Sequence, residues 1–161
     1  MNIVNFTRKI EEKARKSKVA YWLIAQYYRN AIRKEVKLAK IRESDNMLCI
    51  GGGVCPFSAI MFHQTTGARV TVVDNCSRCA RLARSVVEQL GLSEKIRVQC
   101  RDGADMDVSE YSVVHLAKQI SPAETVLSEV KSRAAAMTRL LIREPRKRIG
   151  NTLLYIKGGA S

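Results

Sequence analysis

The sequence predicts an α/β fold: a doubly wound, mostly parallel sheet of about six strands, with a helical extension ahead of it. Three observations carry that prediction. From Met47 onward, short apolar runs alternate with segments of helical length, the texture of βαβ units that bury a parallel sheet. Before Met47 neither Gly nor Pro interrupts the chain, and Val19, Leu23, Tyr27, Ile32, Val36 and Ala39 recur at about helical spacing. The apolar run Leu48-Cys49-Ile50 leads directly into Gly51-Gly52-Gly53, a strand that ends in a glycine turn.

Taken in order, the first element is one long basic amphipathic helix, or two, ending where Ser44-Asp45-Asn46 breaks the pattern. Its Lys and Arg residues, at 8, 9, 13, 15, 16 and 18 and again at 29, 33, 34, 37, 40 and 42, read most simply as a solvated face, with a phosphate-binding stripe as the alternative. Residues 1–44 form the extension and 45–161 the sheet domain. Strands are expected at 47–50, 69–73, 96–100, 112–116, 139–142 and 152–156, and helices at 56–66, 77–90 and 123–136. Gly67 and Gly91 stand where C-terminal helix caps belong. Right-handed crossovers give the strand order 3-2-1-4-5, with the last strand at the edge, and bring the loops after the strands to one end of the sheet.

Composition narrows the class. A chain of 161 residues suffices for one compact domain. With 46% hydrophobic and 27% charged residues it is too apolar to be disordered. No run of 18 apolar residues exists, and Glu11, Glu12 and several lysines interrupt the first twenty positions, so no membrane partner is expected and the location is cytoplasmic. Five cysteines, at 49, 55, 76, 79 and 100, argue by their odd number for reduced thiols. A net charge of +13 attracts nucleic acid, anionic metabolites or acidic surfaces without choosing among them.

The chemistry concentrates in the loops. Gly51, Gly52 and Gly53 let the backbone turn tightly and approach a ligand, and Pro56 suits the first turn of the following helix. The next strand ends in Asp74, 21 residues after Gly53, where a carboxylate accepts both ribose hydroxyls of an adenosine ligand, and Asn75 follows it. Asp74 is therefore expected to matter to the ligand and little to the fold. The third strand runs into Cys100-Arg101-Asp102-Gly103, which offers a carboxylate and a flexible backbone for an adenine amino group. Together these loops outline the adenosine pocket of a Rossmann-like domain. A dinucleotide fingerprint wants a further glycine three residues after Gly53, where Pro56 stands, so a nicotinamide dinucleotide is disfavoured.

From about Met47 to Arg143 the chain resembles the class I S-adenosylmethionine-dependent methyltransferases, through its glycine loop, the acid ending strand two (Asp74) and the acid ending strand three (Asp102). Cys49 and Cys55 depart from that pattern, standing where an acid and a further glycine are usual. A closer likeness is to nicotianamine synthase and its small archaeal and bacterial relatives. Ile50-Gly51-Gly52-Gly53-Val54-Cys55-Pro56 follows their turn, Tyr27, Tyr28, Asn30 and Glu35 look like their preceding helix at compressed spacing, and Leu141-Ile142-Arg143 is similar to their fifth strand. The resemblance implies S-adenosylmethionine as cofactor and displacement at a carbon beside positive sulfur. The group moved is methyl or, as in those relatives, aminopropyl, and the acceptor a small molecule.

Tyr28, Glu35 and His115 are the candidate catalytic groups near the acceptor, although a Tyr at helical spacing is more often core and a strand His more often structural. Arg143, with Arg146, Lys147 and Arg148 beyond it, is placed to bind a carboxylate or phosphate on the acceptor; the plainer reading is a solvated basic loop. Methylation of RNA is the alternative suggested by charge, and a non-catalytic S-adenosylmethionine-binding subunit the one suggested by the short chain. Leu116-Ala117-Lys118-Gln119 holds no Asn-Pro-Pro-Tyr-like motif, so nucleic acid is not the favoured partner. With no room for a seventh strand, a homodimer or partner subunit is expected to complete the acceptor side. Cys76-Ser77-Arg78-Cys79, with Cys55 alongside, could hold zinc or an iron–sulfur cluster, but one C-x-x-C is a weak signal and no metal is expected.

Overall fold

The structure, a computed structural model, describes residues 18–144 and 152–158; in its first helix, side chains are described at residue 26 and from residue 28 onward. Val19, Leu23 and Tyr27 as side chains, the basic residues before Lys18, and Arg146, Lys147 and Arg148 lie outside the described residues.

Helix α1 (Lys18–Ala39) precedes β1 (Asn46–Ile50), α2 (Phe57–Thr66), β2 (Arg69–Asp74), α3 (Ser77–Gln89) and β3 (Ile96–Cys100). A single 3₁₀ turn (Gly103–Asp105) leads to β4 (Val113–Leu116), α4 (Ala123–Arg133), β5 (Arg139–Arg143) and β6 (Thr152–Ile156). The six strands form one sheet in the order β3-β2-β1-β4-β5-β6. The pairs from β3 through β5 are parallel, and β6 runs antiparallel to β5, with Arg143 opposite Thr152. This is the expected α/β sheet and the expected order.

Strand alternation divides the core in two. Met47 and Cys49 of β1, with Val70 and Val72 of β2, face the helices α1, α2 and α3. Leu48, Ile50, Val73 and Val114 face the other way, toward α4 and the loop through Met106, Val108 and Tyr111. Helix α1 sends buried Ile32, Glu35 and Ala39 against that first layer, touching α2, β5 and β6. Its C-terminus is tied down by Arg139 of β5, whose guanidinium donates to the carbonyls of Ala39 (2.7 Å) and Lys40 (3.1 Å) and pairs with Asp45. A cation at this end also meets the negative pole of the helix.

Gly67 adopts the left-handed conformation and closes α2, its N–H donating to the carbonyl of His63 at 2.7 Å. Gly91 does the same just past α3. Helix α4 stops at Arg133, three residues short of the expected 136. Ala134 turns extended and is buried, and the Thr138 hydroxyl donates to the carbonyl of Tyr111, so packing overrides an alanine run that favours helix. Among the described residues no helix is long and apolar enough to cross a membrane.

Candidate active site

The glycine turn continues β1 over the end of β2. The N–H groups of Gly51 and Gly52 donate to the carbonyl of Val73 at 2.9 and 3.4 Å. Gly51 has φ +89°, and a Cβ there would sit 2.7 Å from Ile120 Cγ2; a Cβ on Gly52 would sit 2.3 Å from Val72 Cγ1. Glycine is thus required for close approach at both positions. The Gly53 N–H donates to Asp74 Oδ2 at 2.8 Å, and the Cys76 N–H to Asp74 Oδ1 at 2.9 Å. The Asp74 carboxylate therefore braces the first and second loops against each other, a structural task that the sequence reading did not give it. Each oxygen keeps a lone pair for a further donor.

Asp102 Oδ1 accepts from the N–H of Ala104 at 2.9 Å and opens the 3₁₀ turn, leaving its side chain exposed. Gly103 is buried, and a Cβ on it would lie 2.4 Å from Ile50 Cγ2. Its lack of a side chain lets this turn pack on β1. Pro56 is buried at the N-cap of α2, one residue before the helix rather than inside its first turn. A cleft of about 320 Å³ opens over these loops, lined by Gly51, Gly53, Asp74, Asn75, Asp102 and Gly103, with Ile120 and Val126 as apolar wall.

Gly51 and Gln119 also border a second, narrower compartment of about 30 Å³, lined by Tyr28, Cys49, Ser58, His115 and Arg143. Here the inner face of α1 meets the C-terminal ends of β1, β4 and β5. Arg143 donates through Nε and Nη2 to the two Glu35 oxygens, both at 2.7 Å, and through Nη1 to Ser58 Oγ at 2.8 Å. The Thr152 hydroxyl donates to Glu35 Oε1 at 2.5 Å. Tyr28 stacks on Phe57, and the Arg143 guanidinium lies 5.9 Å from its ring centre. His115 is 1% exposed, meets the Phe62 ring edge-on, and leaves Nε2 unpaired 4.0 Å from Glu35 Oε2.

The charges answer to these contacts. Burial alone would raise the pKa of Glu35, but the hydrogen bonds and charge of Arg143 outweigh it and hold the carboxyl below its ordinary range. Burial pushes His115 down to about 3, helped by the Arg143 charge and opposed by Glu35, so the imidazole is neutral at physiological pH. Burial pushes the Cys49 thiol up to about 12, which leaves it un-ionised and a poor nucleophile. In the wide cleft, hydrogen bonds from Cys79 lower the pKa of Cys76.

The structure brings the sequence-derived residues together as two groups. Gly51, Gly53, Asp74, Asn75, Asp102 and Gly103 line the wide cleft, whereas Gly52 and Pro56, read with them as cofactor-binding residues, line the narrow compartment, where Tyr28, His115 and Arg143 gather with Glu35 held on Arg143. Three of the five Arg143 N–H donors are engaged by Glu35 and Ser58, so the arginine read as an acceptor-binding group is first a partner of Glu35. Ser58, Thr152 and Gln119 were missed. Ser58 sits in the first turn of an apolar helix with no motif around it, and Thr152 reaches Glu35 only because β6 runs antiparallel. The three-thiol grouping expected for Cys55, Cys76 and Cys79 does not form: Cys55 is buried beside the narrow compartment, and the third donor near Cys76 and Cys79 is Asp74.

The chain superposes on MtNAS in complex with S-adenosylmethionine with a TM-score of 0.76, at 24% identity, over 86% of this chain and 57% of that one. It superposes on an RNA methyltransferase from Salinibacter ruber, in complex with S-adenosyl-L-homocysteine, with a TM-score of 0.65, at 18% identity, over 81% of this chain and 92% of that one. The chain has the class I S-adenosylmethionine-dependent methyltransferase fold. Within this fold a curated relative in sequence is the L-histidine 2-aminobutanoyltransferase of Yersinia pestis, 23% identical over 118 residues, 72% of this chain and 43% of that protein. The chain spans less than half the length of that relative and about 57% of MtNAS. No family model matches it.

Proposed function

We propose that the chain is an S-adenosylmethionine-dependent transferase that moves an alkyl group from the sulfonium to a small-molecule acceptor. The observation that carries this reading is the wide cleft at the ends of β1, β2 and β3, where the Asp74 carboxylate is fixed by two backbone N–H groups while retaining acceptor capacity. A ribose diol fits such a carboxylate, the apolar surface of Ile120 and Val126 suits the face of an adenine, and Asp102 and Asn75 supply polar groups at the rim. When bound, the cofactor supplies a carbon made electrophilic by positive sulfur, and its thioether leaves as the acceptor bonds.

The chain's own residues then orient the acceptor. Glu35 and Arg143 hold each other rigid, while Tyr28 and His115, whose Nε2 is unpaired, line the compartment beside the glycine turn. A neutral His115 can accept a hydrogen bond from an attacking amine or hydroxyl. The name of the Yersinia pestis relative, a 2-aminobutanoyltransferase, favours transfer of the larger amino-acid-bearing chain over methyl. A second copy or a partner subunit completes the acceptor side, which gel filtration beside activity tests: a fully active monomer removes that part. Reduced thiols at the five cysteines fit a cytoplasmic location.

The decisive measurement is thermal unfolding with ligands. S-adenosylmethionine and S-adenosylhomocysteine should raise Tm and NAD should not, since only a ligand of the native state shifts unfolding. Equal stabilisation by NAD would overturn the assignment. The nucleoside product then identifies the group moved: S-adenosylhomocysteine for methyl, methylthioadenosine for the amino- and carboxyl-bearing propyl chain, since that chain leaves the sulfonium with its carboxylate intact. Methylation of RNA is the second reading, favoured by the net charge of +13 and by the Salinibacter neighbour, and it requires RNA binding with a steep salt slope.

A further inference from the structure

One cluster at the cleft contains two thiols that this reaction does not use, beside the Asp74 carboxylate that it does. At the turn from β2 into α3, one carboxylate oxygen of Asp74 and the sulfurs of Cys76 and Cys79 all lie within 4.8 Å of one another, each side chain partly open to solvent. The local sequence makes this convergence. Cys76 is the N-cap of α3 and Cys79 stands one turn on, so both sulfurs sit at the same end of the helix, and the Cys79 N–H donates to Cys76 Sγ at 3.2 Å. Asp74, two residues upstream, is fixed by its bonds from Gly53 and Cys76.

We infer that Asp74, Cys76 and Cys79 form a binding site for zinc that shares Asp74 with the cofactor cleft. Two sulfurs and one carboxylate oxygen match the donor preference of a thiophilic divalent ion, whereas magnesium and calcium demand oxygen ligands throughout. Three protein ligands leave the fourth tetrahedral position open toward the cleft. The clustered negative charge of two thiolates and a carboxylate is what a divalent cation neutralises. Because the same carboxylate is proposed to hold the ribose, zinc and cofactor compete, and this consequence rests on the transferase reading while the metal site itself does not.

The test titrates chelator-stripped protein with zinc against a chromogenic competitor, and in parallel with cobalt(II), whose thiolate bonds give a charge-transfer absorption. The expected result is one zinc per chain with that cobalt signature. Cys76→Ser and Cys79→Ser should each weaken binding roughly tenfold or more, Cys100→Ser should not, and thermal melts of the stripped variants confirm that they fold. Substoichiometric zinc, absence of the cobalt band, or unchanged affinity in the folded Cys76 and Cys79 variants overturns the site. Zinc and S-adenosylhomocysteine should weaken each other by the same factor. If both bind with no mutual effect, the sharing of Asp74 is wrong; if zinc binds but stripped protein takes no S-adenosylhomocysteine, the metal site stands and the transferase reading falls.

Discussion

The two compartments that meet at Gly51 and Gln119 are built on opposite electrostatic plans. In the wide cleft, the carboxylates of Asp74 and Asp102 are held by backbone N–H groups, and Arg78 and Arg101 stand on the same lining. In the narrow one, Glu35 and Arg143 are spent on each other, with Ser58 and Thr152 taking further positions around them. A carboxylate held by backbone N–H groups keeps lone pairs for a ligand. Charge already paired in a buried place fixes shape instead, because removing either partner strands the other away from water. The wide cleft is thus suited to a ligand, as proposed, and the narrow compartment is a rigid wall that includes the unpaired Nε2 of His115.

The sharpest way to break this contrast is at Glu35, whose side chain is 2% exposed against 15% for Arg143. Glu35→Ala should cost about 3–5 kcal/mol of stability, since it leaves a guanidinium buried without its partner. Urea unfolding measures it, and a loss below about 1 kcal/mol would show that the pair is not the wall described. Acid should reach the same region. The folded pKa of His115 lies near 3 against an ordinary 6.5, so between these values the unfolded chain binds the extra proton. Stability present above pH 6.5 should then fall as pH drops toward 3, by up to about 1.4 kcal/mol per unit. Glu35, held below its ordinary value, adds loss in the same direction at the lower end. In His115→Asn the fall between pH 6.5 and 5 should flatten.

In the open cleft the effects should be smaller and divided differently. Asp74→Ala removes the ribose acceptor, so affinity for S-adenosylmethionine should fall about ten- to a hundredfold by calorimetric titration. It also leaves the Gly53 and Cys76 amides without their acceptor, and stability without ligand should drop by about 1–3 kcal/mol. Asp74→Asn keeps one acceptor and should fall between. Parent-like affinity in a folded Asp74→Ala would remove the adenosine pocket.

This division also explains what the sequence made legible. Asp74 could be placed at the cleft because the acid that ends strand two follows the glycine turn at a characteristic distance along the chain. Ile96–Cys100 could be bounded by its apolar–polar alternation and Thr152–Ile156 by its apolar run. Glu35 and Arg143 were each singled out, but their pairing across 108 residues was not, since no local pattern records a contact made by tertiary packing. The bracing of loops by Asp74 escaped for a related reason: spacing identified the carboxylate, and only the folded turn showed which N–H groups reach it.

Thr152 gives the finest test, because it joins the wall through register alone. The antiparallel pairing of β5 and β6 sets Thr152 opposite Arg143, and from there its hydroxyl donates to Glu35 Oε1, which already accepts from Arg143 Nε. Thr152→Val keeps the shape and the β-branched side chain that suits a strand but removes the donor. Glu35 would retain both bonds from Arg143, so no charge is left unpaired, and the loss should be about 1 kcal/mol, the ordinary net worth of one hydrogen bond. Combined with Glu35→Ala, the substitution should cost almost nothing further, because the group it served is gone; the double-mutant cycle isolates that coupling. A Thr152→Val loss that adds in full to that of Glu35→Ala would mean that the threonine stabilises β6 by its own packing, and that the wall of the narrow compartment ends at Arg143.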